Sequence, residues 1–225
     1  MILADGHLYV HMPRTAGTSV SAVLARQGGY LVGGRHDPAR MAHPSWRAGR
    51  TVFGTIRDPW SWYASLYLFA ASGSEGIRRL PGVSYNGCIY DGTAPDFRRF
   101  LWGVTHLPET ALPFVLGVIW QPANFVQTYP ERDSAVWDAA DRMRRSGVGF
   151  WSWVVRDMYG VGNDDGWTVD AIVDTAQLAA GLRTIGVLEP TDPRPDRLNH
   201  LRSRPVKIQL LEPRTLYDAD ALAWV

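Results

Sequence analysis

Leu8-Tyr9-Val10-His11-Met12-Pro13-Arg14-Thr15-Ala16-Gly17-Thr18-Ser19-Val20 runs from apolar residues, through small and cationic ones, into an amphipathic stretch. Leu8 to Met12 reads as a buried first strand. Pro13 to Gly17 reads as a loop, and Thr18 or Ser19 as the opening of a helix that runs to about Gln27. Val20, Val23 and Leu24 share one face of that helix, and Gly28-Gly29 closes it. Small residues in such a loop let backbone N–H groups turn inward as an anion nest. The helix N-terminus adds positive potential, the Thr18 and Ser19 hydroxyls add donors, and Arg14 adds a fixed charge. A phosphate-like group fits this chemistry. The loop is not the NTPase pattern, because the leading Gly and the Gly-Lys pair are missing. An ordinary strand-to-helix turn with a Ser/Thr cap is the alternative these residues leave open.

Outward from this stretch the same alternation continues. Tyr30-Leu31-Val32 reads as a weak second strand. Thr51-Val52-Phe53-Gly54-Thr55-Ile56 is rich in β-branched residues and reads as a strong one. Asp58-Pro59 caps and starts a helix to about Ala71. Strand, loop, helix, then strand, loop, helix is the βαβ pattern of a parallel sheet covered by helices. Beyond it, residues 72–95 read as a long loop rich in Gly, Ser and Pro, of the kind that faces substrates. Phe97 to Trp102 reads as a short helix and Ser134 to Arg145 as an amphipathic one. Phe150 to Tyr159 is aromatic-rich. Thr168 to Val173 reads as a late strand, Thr175 to Leu182 as a helix, and Asp218 to Val225 as a terminal helix. No linker divides the 225 residues, so a single domain over 1–225 is expected.

Composition narrows the function. The net charge is +1, from 23 basic and 22 acidic residues, which argues against a dedicated nucleic-acid-binding or polybasic membrane protein. Lys207 is the sole lysine, so arginine supplies nearly all the positive charge. Arginine forks suit planar oxyanions, although coding bias yields the same skew. Cys88 stands alone. It permits neither an intramolecular disulfide nor a cysteine zinc site within one chain, and a reducing cytoplasm is the expected compartment. The opening residues carry Asp5 and lack a long apolar run, so they do not read as a signal peptide. The most apolar stretch, Ala111 to Trp120, is about ten residues against the roughly 20 of a membrane span.

Strand-x-Pro-[Lys/Arg]-Thr-[Ala/Gly]-Gly-Thr-[Ser/Thr], met here as Pro13-Arg14-Thr15-Ala16-Gly17-Thr18-Ser19, resembles the 5′-phosphosulfate loop of sulfotransferases that use 3′-phosphoadenosine 5′-phosphosulfate (PAPS). It is most similar to the branch with glycosaminoglycan-type and many bacterial enzymes, where Lys usually stands at the Arg14 position. Gly54-Thr55-Ile56-Arg57-Asp58-Pro59 with Ser65 and Tyr67 resembles that family's 3′-phosphate motif. The resemblance implies a P-loop-like three-layer α/β fold with a central, mostly parallel sheet flanked by helices. It implies that Arg14, Thr15, Ala16, Gly17, Thr18 and Ser19 hold the phosphosulfate, and that Arg57 and Ser65 hold the 3′-phosphate. A guanidinium fork and a hydroxyl suit that anion. It implies a general base at His36, where a neutral imidazole takes the acceptor's proton. His43 and Glu75 are further candidates, and His11 reads as packing or lining. Asn199 with Arg202 and Arg204 resembles the late Asn and basic loop that close over the nucleotide. Trp60, Trp62 and Tyr67 read as core.

The expected reaction is sulfuryl transfer from PAPS to a hydroxyl, or less readily an amine, of a small-molecule or carbohydrate acceptor. It leaves 3′-phosphoadenosine 5′-phosphate and needs no metal. Acceptor choice is expected in the region about 72–165, which the resemblance does not cover. Two other readings remain. One is an ATP-dependent small-molecule kinase, against which the missing Gly-Lys pair and Mg-binding Asp count. The other is a nucleotide-binding protein without catalysis, motivated by Arg14 and by the absence of a Glu before Leu178.

Overall fold

A computed structural model describes residues 1–71, 91–106, 141–143, 145–160 and 168–189. These fall into two compact units. The first takes in 1–57, 154–160 and 168–189, and the second takes in 58–71, 91–106, 141–143 and 145–153.

The first unit is built on β1 (Ile2–Ala4), β2 (His7–Val10), β3 (Tyr30–Leu31), β4 (Thr51–Ile56) and β5 (Ala171–Asp174). Their order across the sheet is β3-β1-β2-β4-β5. β2, β4 and β5 run parallel, whereas β1 is antiparallel to both β2 and β3. The sheet is therefore mixed, not mostly parallel as the sequence suggests. The cause lies in Asp5-Gly6. Gly6 adopts φ 67°, and Ala4 pairs with His7 across this two-residue turn. Gly tolerates that left-handed conformation without steric penalty. The apolar opening residues thus fold back as a hairpin strand. Tyr30 and Leu31 then return along the free edge of β1 and are 60% and 50% exposed, as an edge strand allows.

α1 (Gly17–Arg26) and α6 (Leu178–Thr184) supply the helical layer on one face. Val20, Val23 and Leu24 from α1, with Leu178 and Leu182 from α6, bury against Ile2, Tyr9, Phe53 and Val173. This face is the one the apolar spacing in α1 predicts. Gly28 at φ 81° ends α1, and the Gly29 amide donates to the Leu24 carbonyl at 2.8 Å. At Gly54 the adjoining space is filled by the Tyr159 ring, from the end of α5 (Phe150–Tyr159); a Cβ on Gly54 would lie 2.2 Å from it.

The second unit packs α3 (Pro59–Ala71) on α4 (Ala94–Thr105) and the opening of α5. The Asp58 carboxylate accepts from the Ser61 amide at 2.9 Å, the cap that the Asp-Pro pair predicts. Trp62 is fully buried, with Tyr63 and Phe150 rings beside it, and the Tyr67 ring packs against both Phe97 and Phe100. The Tyr67 hydroxyl donates to buried Asp96 at 2.8 Å and accepts from the Gly92 amide at 2.9 Å. α4 runs longer than its sequence suggests because Thr93 caps it by accepting from the Asp96 amide, and because Pro95 lies in its first turn. Among the described residues no helix is long and apolar enough to cross a membrane.

Candidate functional site

β2 and β4 are parallel neighbours, with Val10 opposite Gly54, so the segments that follow them emerge side by side. That register places the Pro13–Ser19 loop beside Thr55 to Arg57. Ligand crevices of open α/β sheets lie at this end of the strands.

The loop is strained. Arg14 (φ 64°) and Ala16 (φ 62°) are both left-handed without being glycine. Such residues cost on the order of 1–3 kcal/mol each and persist only where surrounding structure over-determines them. Here it does so through Thr15, fully buried between them. Its hydroxyl donates to the Met12 carbonyl at 2.7 Å, and its carbonyl accepts from the Thr55 hydroxyl at 2.6 Å. Because Thr55 spends its proton there, the Tyr9 hydroxyl, 2.8 Å away, donates to Thr55. The Tyr159 hydroxyl donates to the Thr55 carbonyl. Burial raises both phenol pKa values, so both stay protonated. The residue at the N-cap of α1 is Ala16, not Thr18 or Ser19, and no side chain caps it. Thr18 points to solvent and Ser19 is buried. The helix start is thus held by backbone conformation, with the Ser19 and Val20 amides on the Ala16 carbonyl at 2.9 and 3.1 Å. Alternating left-handed residues in this way turn successive amides to one side, which is the geometry of an anion nest.

Arg14 is half-buried. Burial, then the nearby Arg57 charge, push its guanidinium down to about 10, so it remains a cation at neutral pH. The fold therefore brings two like charges together at the end of β2 and β4. Anionic groups bound at either guanidinium would offset both the repulsion and the desolvation.

His36 lies in the loop after β3, and its Nδ1 is 3.0 Å from the His11 carbonyl. A carbonyl only accepts, so Nδ1 carries the proton and Nε2 holds the lone pair. Burial lowers the His36 pKa, partly offset by that hydrogen bond, and the ring is neutral at neutral pH. His43 is exposed and caps the short helix α2 (Pro44–Arg47), where its Nδ1 accepts from the Ser45 amide at 3.2 Å. Ser65 lies on α3 in the second unit, half-buried. Glu75, Asn199, Arg202 and Arg204 lie outside the described residues, as does most of the region about 72–165. Among the described residues no group of three or more His, Cys, Asp or Glu is placed to hold a metal.

Thr55 lies within the Gly54–Pro59 stretch read as a motif, but neither it nor Tyr9 and Tyr159 was given a role from the sequence. Thr55→Val keeps shape but strands the Thr15 carbonyl and the Tyr9 hydroxyl in a buried site. Each such loss costs about 1–3 kcal/mol, so urea denaturation should show a deficit of about 3 kcal/mol. A deficit below about 0.5 kcal/mol, within the scatter of neutral changes, would mean that the hydroxyl network does not hold the loop.

Comparison with protein-family models, with curated proteins and with solved structures finds no match for this chain.

Proposed function

We propose that the protein transfers a sulfuryl group from PAPS to an acceptor hydroxyl. The observation that carries this is the strained Arg14–Ala16 loop, locked by Thr15 and set beside Arg57, with a neutral His36 anchored on the same strand end. The resemblance of both motifs to PAPS-dependent enzymes supplies the identity of the anion. In this role the loop amides and Arg14 bind the 5′-phosphosulfate, and Arg57 binds the 3′-phosphate. His36 Nε2 takes the acceptor's proton. The acceptor oxygen then bonds to sulfur as the bond from sulfur to the 5′-phosphate oxygen breaks. The electron pair stays on that phosphate oxygen, where Arg14 and the amides stabilise it. The products are the sulfated acceptor and 3′-phosphoadenosine 5′-phosphate. As in phosphoryl transfer, positioning and electrostatics carry the catalysis.

Calorimetric titration with 3′-phosphoadenosine 5′-phosphate, with ATP and AMP as controls, tests the donor. Selective binding is expected, and Arg57→Ala should weaken it about 10- to 100-fold, the usual worth of a charge-assisted fork. A preference for ATP, or affinity untouched by Arg57→Ala, would overturn the assignment.

A further inference from the structure

His11 follows β2 and is only 7% exposed. Its ring stacks on Tyr9, with centroids 5.6 Å apart and 21° between planes, and lies 4.5 Å from the His36 ring. Its Nδ1 is buried and has no hydrogen-bond partner among the described residues. The ring also fills the space beside Gly17, where a Cβ would lie 1.5 Å from His11 Nε2. It is therefore wedged between a core tyrosine, the start of α1 and His36.

We propose that His11 is a positioning residue for His36: its ring shields the His36 imidazole from water, and its carbonyl fixes Nε2 as the nitrogen that carries the lone pair. The shield is the ring itself, since the His11 nitrogen makes no bond to His36. Water excluded from one side of an imidazole disfavours its charged form, so the shield favours the unprotonated base. The other groups acting on His36 are Arg35 and Asp37 in its own loop and the amine of Met1 at β1. Arg35 and the amine disfavour the imidazolium and Asp37 favours it, so His11 acts beside them, not in their place. Arg14 acts on His11. The consequence for catalysis rests on His36 being the base of the proposed transfer, whereas the shielding does not.

The test is a histidine NMR titration of the full chain, with the His36 signal assigned by its loss in His36→Asn. In His11→Ala the His36 midpoint should rise towards the ordinary histidine value. In His11→Phe, which keeps a ring, it should stay with the wild type, and Nδ1 should remain the protonated nitrogen. His11→Val removes the ring while keeping a strand-forming residue, and gives the same reading if His11→Ala does not fold. The acidic limb of kcat/KM should move to higher pH in the ringless variants alone. An unmoved midpoint in both ringless variants overturns the proposal, as does a midpoint that moves equally in His11→Phe. Parallel titration with 3′-phosphoadenosine 5′-phosphate separates the two ideas. Binding with an unmoved midpoint overturns the shielding and leaves sulfotransfer standing. A moved midpoint without binding supports the shielding and removes sulfotransfer.

Discussion

Gly17→Ala is expected to destabilise the protein by about 3 kcal/mol, the upper range for overpacking a rigid site, and to abolish the proposed binding of 3′-phosphoadenosine 5′-phosphate. Two effects oppose each other at this position. Alanine is the better helix former by about 1 kcal/mol, and Gly17 is the first residue of α1. Against that, the new Cβ would lie 1.5 to 2.3 Å from three atoms of the His11 ring. Contacts under 3 Å must be relieved, and this ring has little room to yield. Tyr9 stacks on it, His36 lies 4.5 Å away, and its backbone leads directly from β2. The alternative is for the loop to shift, which breaks the Thr15 bonds that hold Arg14 and Ala16 left-handed. Sterics therefore outweigh propensity. The double variant His11→Ala/Gly17→Ala removes the collision, so it should be less destabilised than the two single changes add up to, by more than about 1 kcal/mol in a double-mutant cycle. If Gly17→Ala alone proves neutral or stabilising in urea denaturation, the wedged position of the His11 ring is wrong.

That pair also marks the limit of what the sequence tells. β4 was legible because five of its six residues favour strands and Asp58-Pro59 punctuates its end. α1 was legible because Val20, Val23 and Leu24 recur at helical spacing. The hairpin strand β1 carries only three residues, too short for a periodic signal, although Asp5-Gly6 between apolar runs is a turn signature. Phe150 to Tyr159 reads as aromatic-rich, yet Phe150, Trp153, Val154 and Met158 are buried at helical spacing along α5. At the site, the loop and both arginines stood out as residue types. The left-handed Ala16 did not, since only tertiary bonds to Thr15 make that conformation tolerable. Tyr159 reaches the Thr55 carbonyl from 104 residues away, and His36 reaches His11 from 25. Such pairings follow from strand register and the return of β3 to β1, which no local window contains.

The protein should lose stability steeply as pH falls below about 6.5, the ordinary histidine value, and His11→Phe should remove part of that loss. Burial pushes the His11 pKa down to about 2, with His36, Arg35, the Met1 amine and Arg14 adding to it. The folded value thus lies below the unfolded one. Between the two, the unfolded chain binds a proton that the folded chain refuses, so stability falls as pH falls. It is fully present above the unfolded value and is lost progressively towards the folded one. Each such site contributes about 1.4 kcal/mol per pH unit inside its window. His36, shifted downward by burial, adds to the loss in the same direction. The whole window for His11 is worth several kcal/mol, a large share of the 5–15 kcal/mol that holds a typical domain. Acid unfolding should therefore precede protonation of the folded ring. Urea midpoints at pH 7, 6 and 5 measure the slope. His11→Phe keeps a ring between Tyr9, Gly17 and His36 but has no proton to take up, so its slope should be shallower by about one proton. Carboxylates contribute equally to both proteins and cancel in the comparison. Parallel slopes in the two proteins would mean that His11 is not held neutral, and that water reaches the ring which the fold places between Tyr9 and His36.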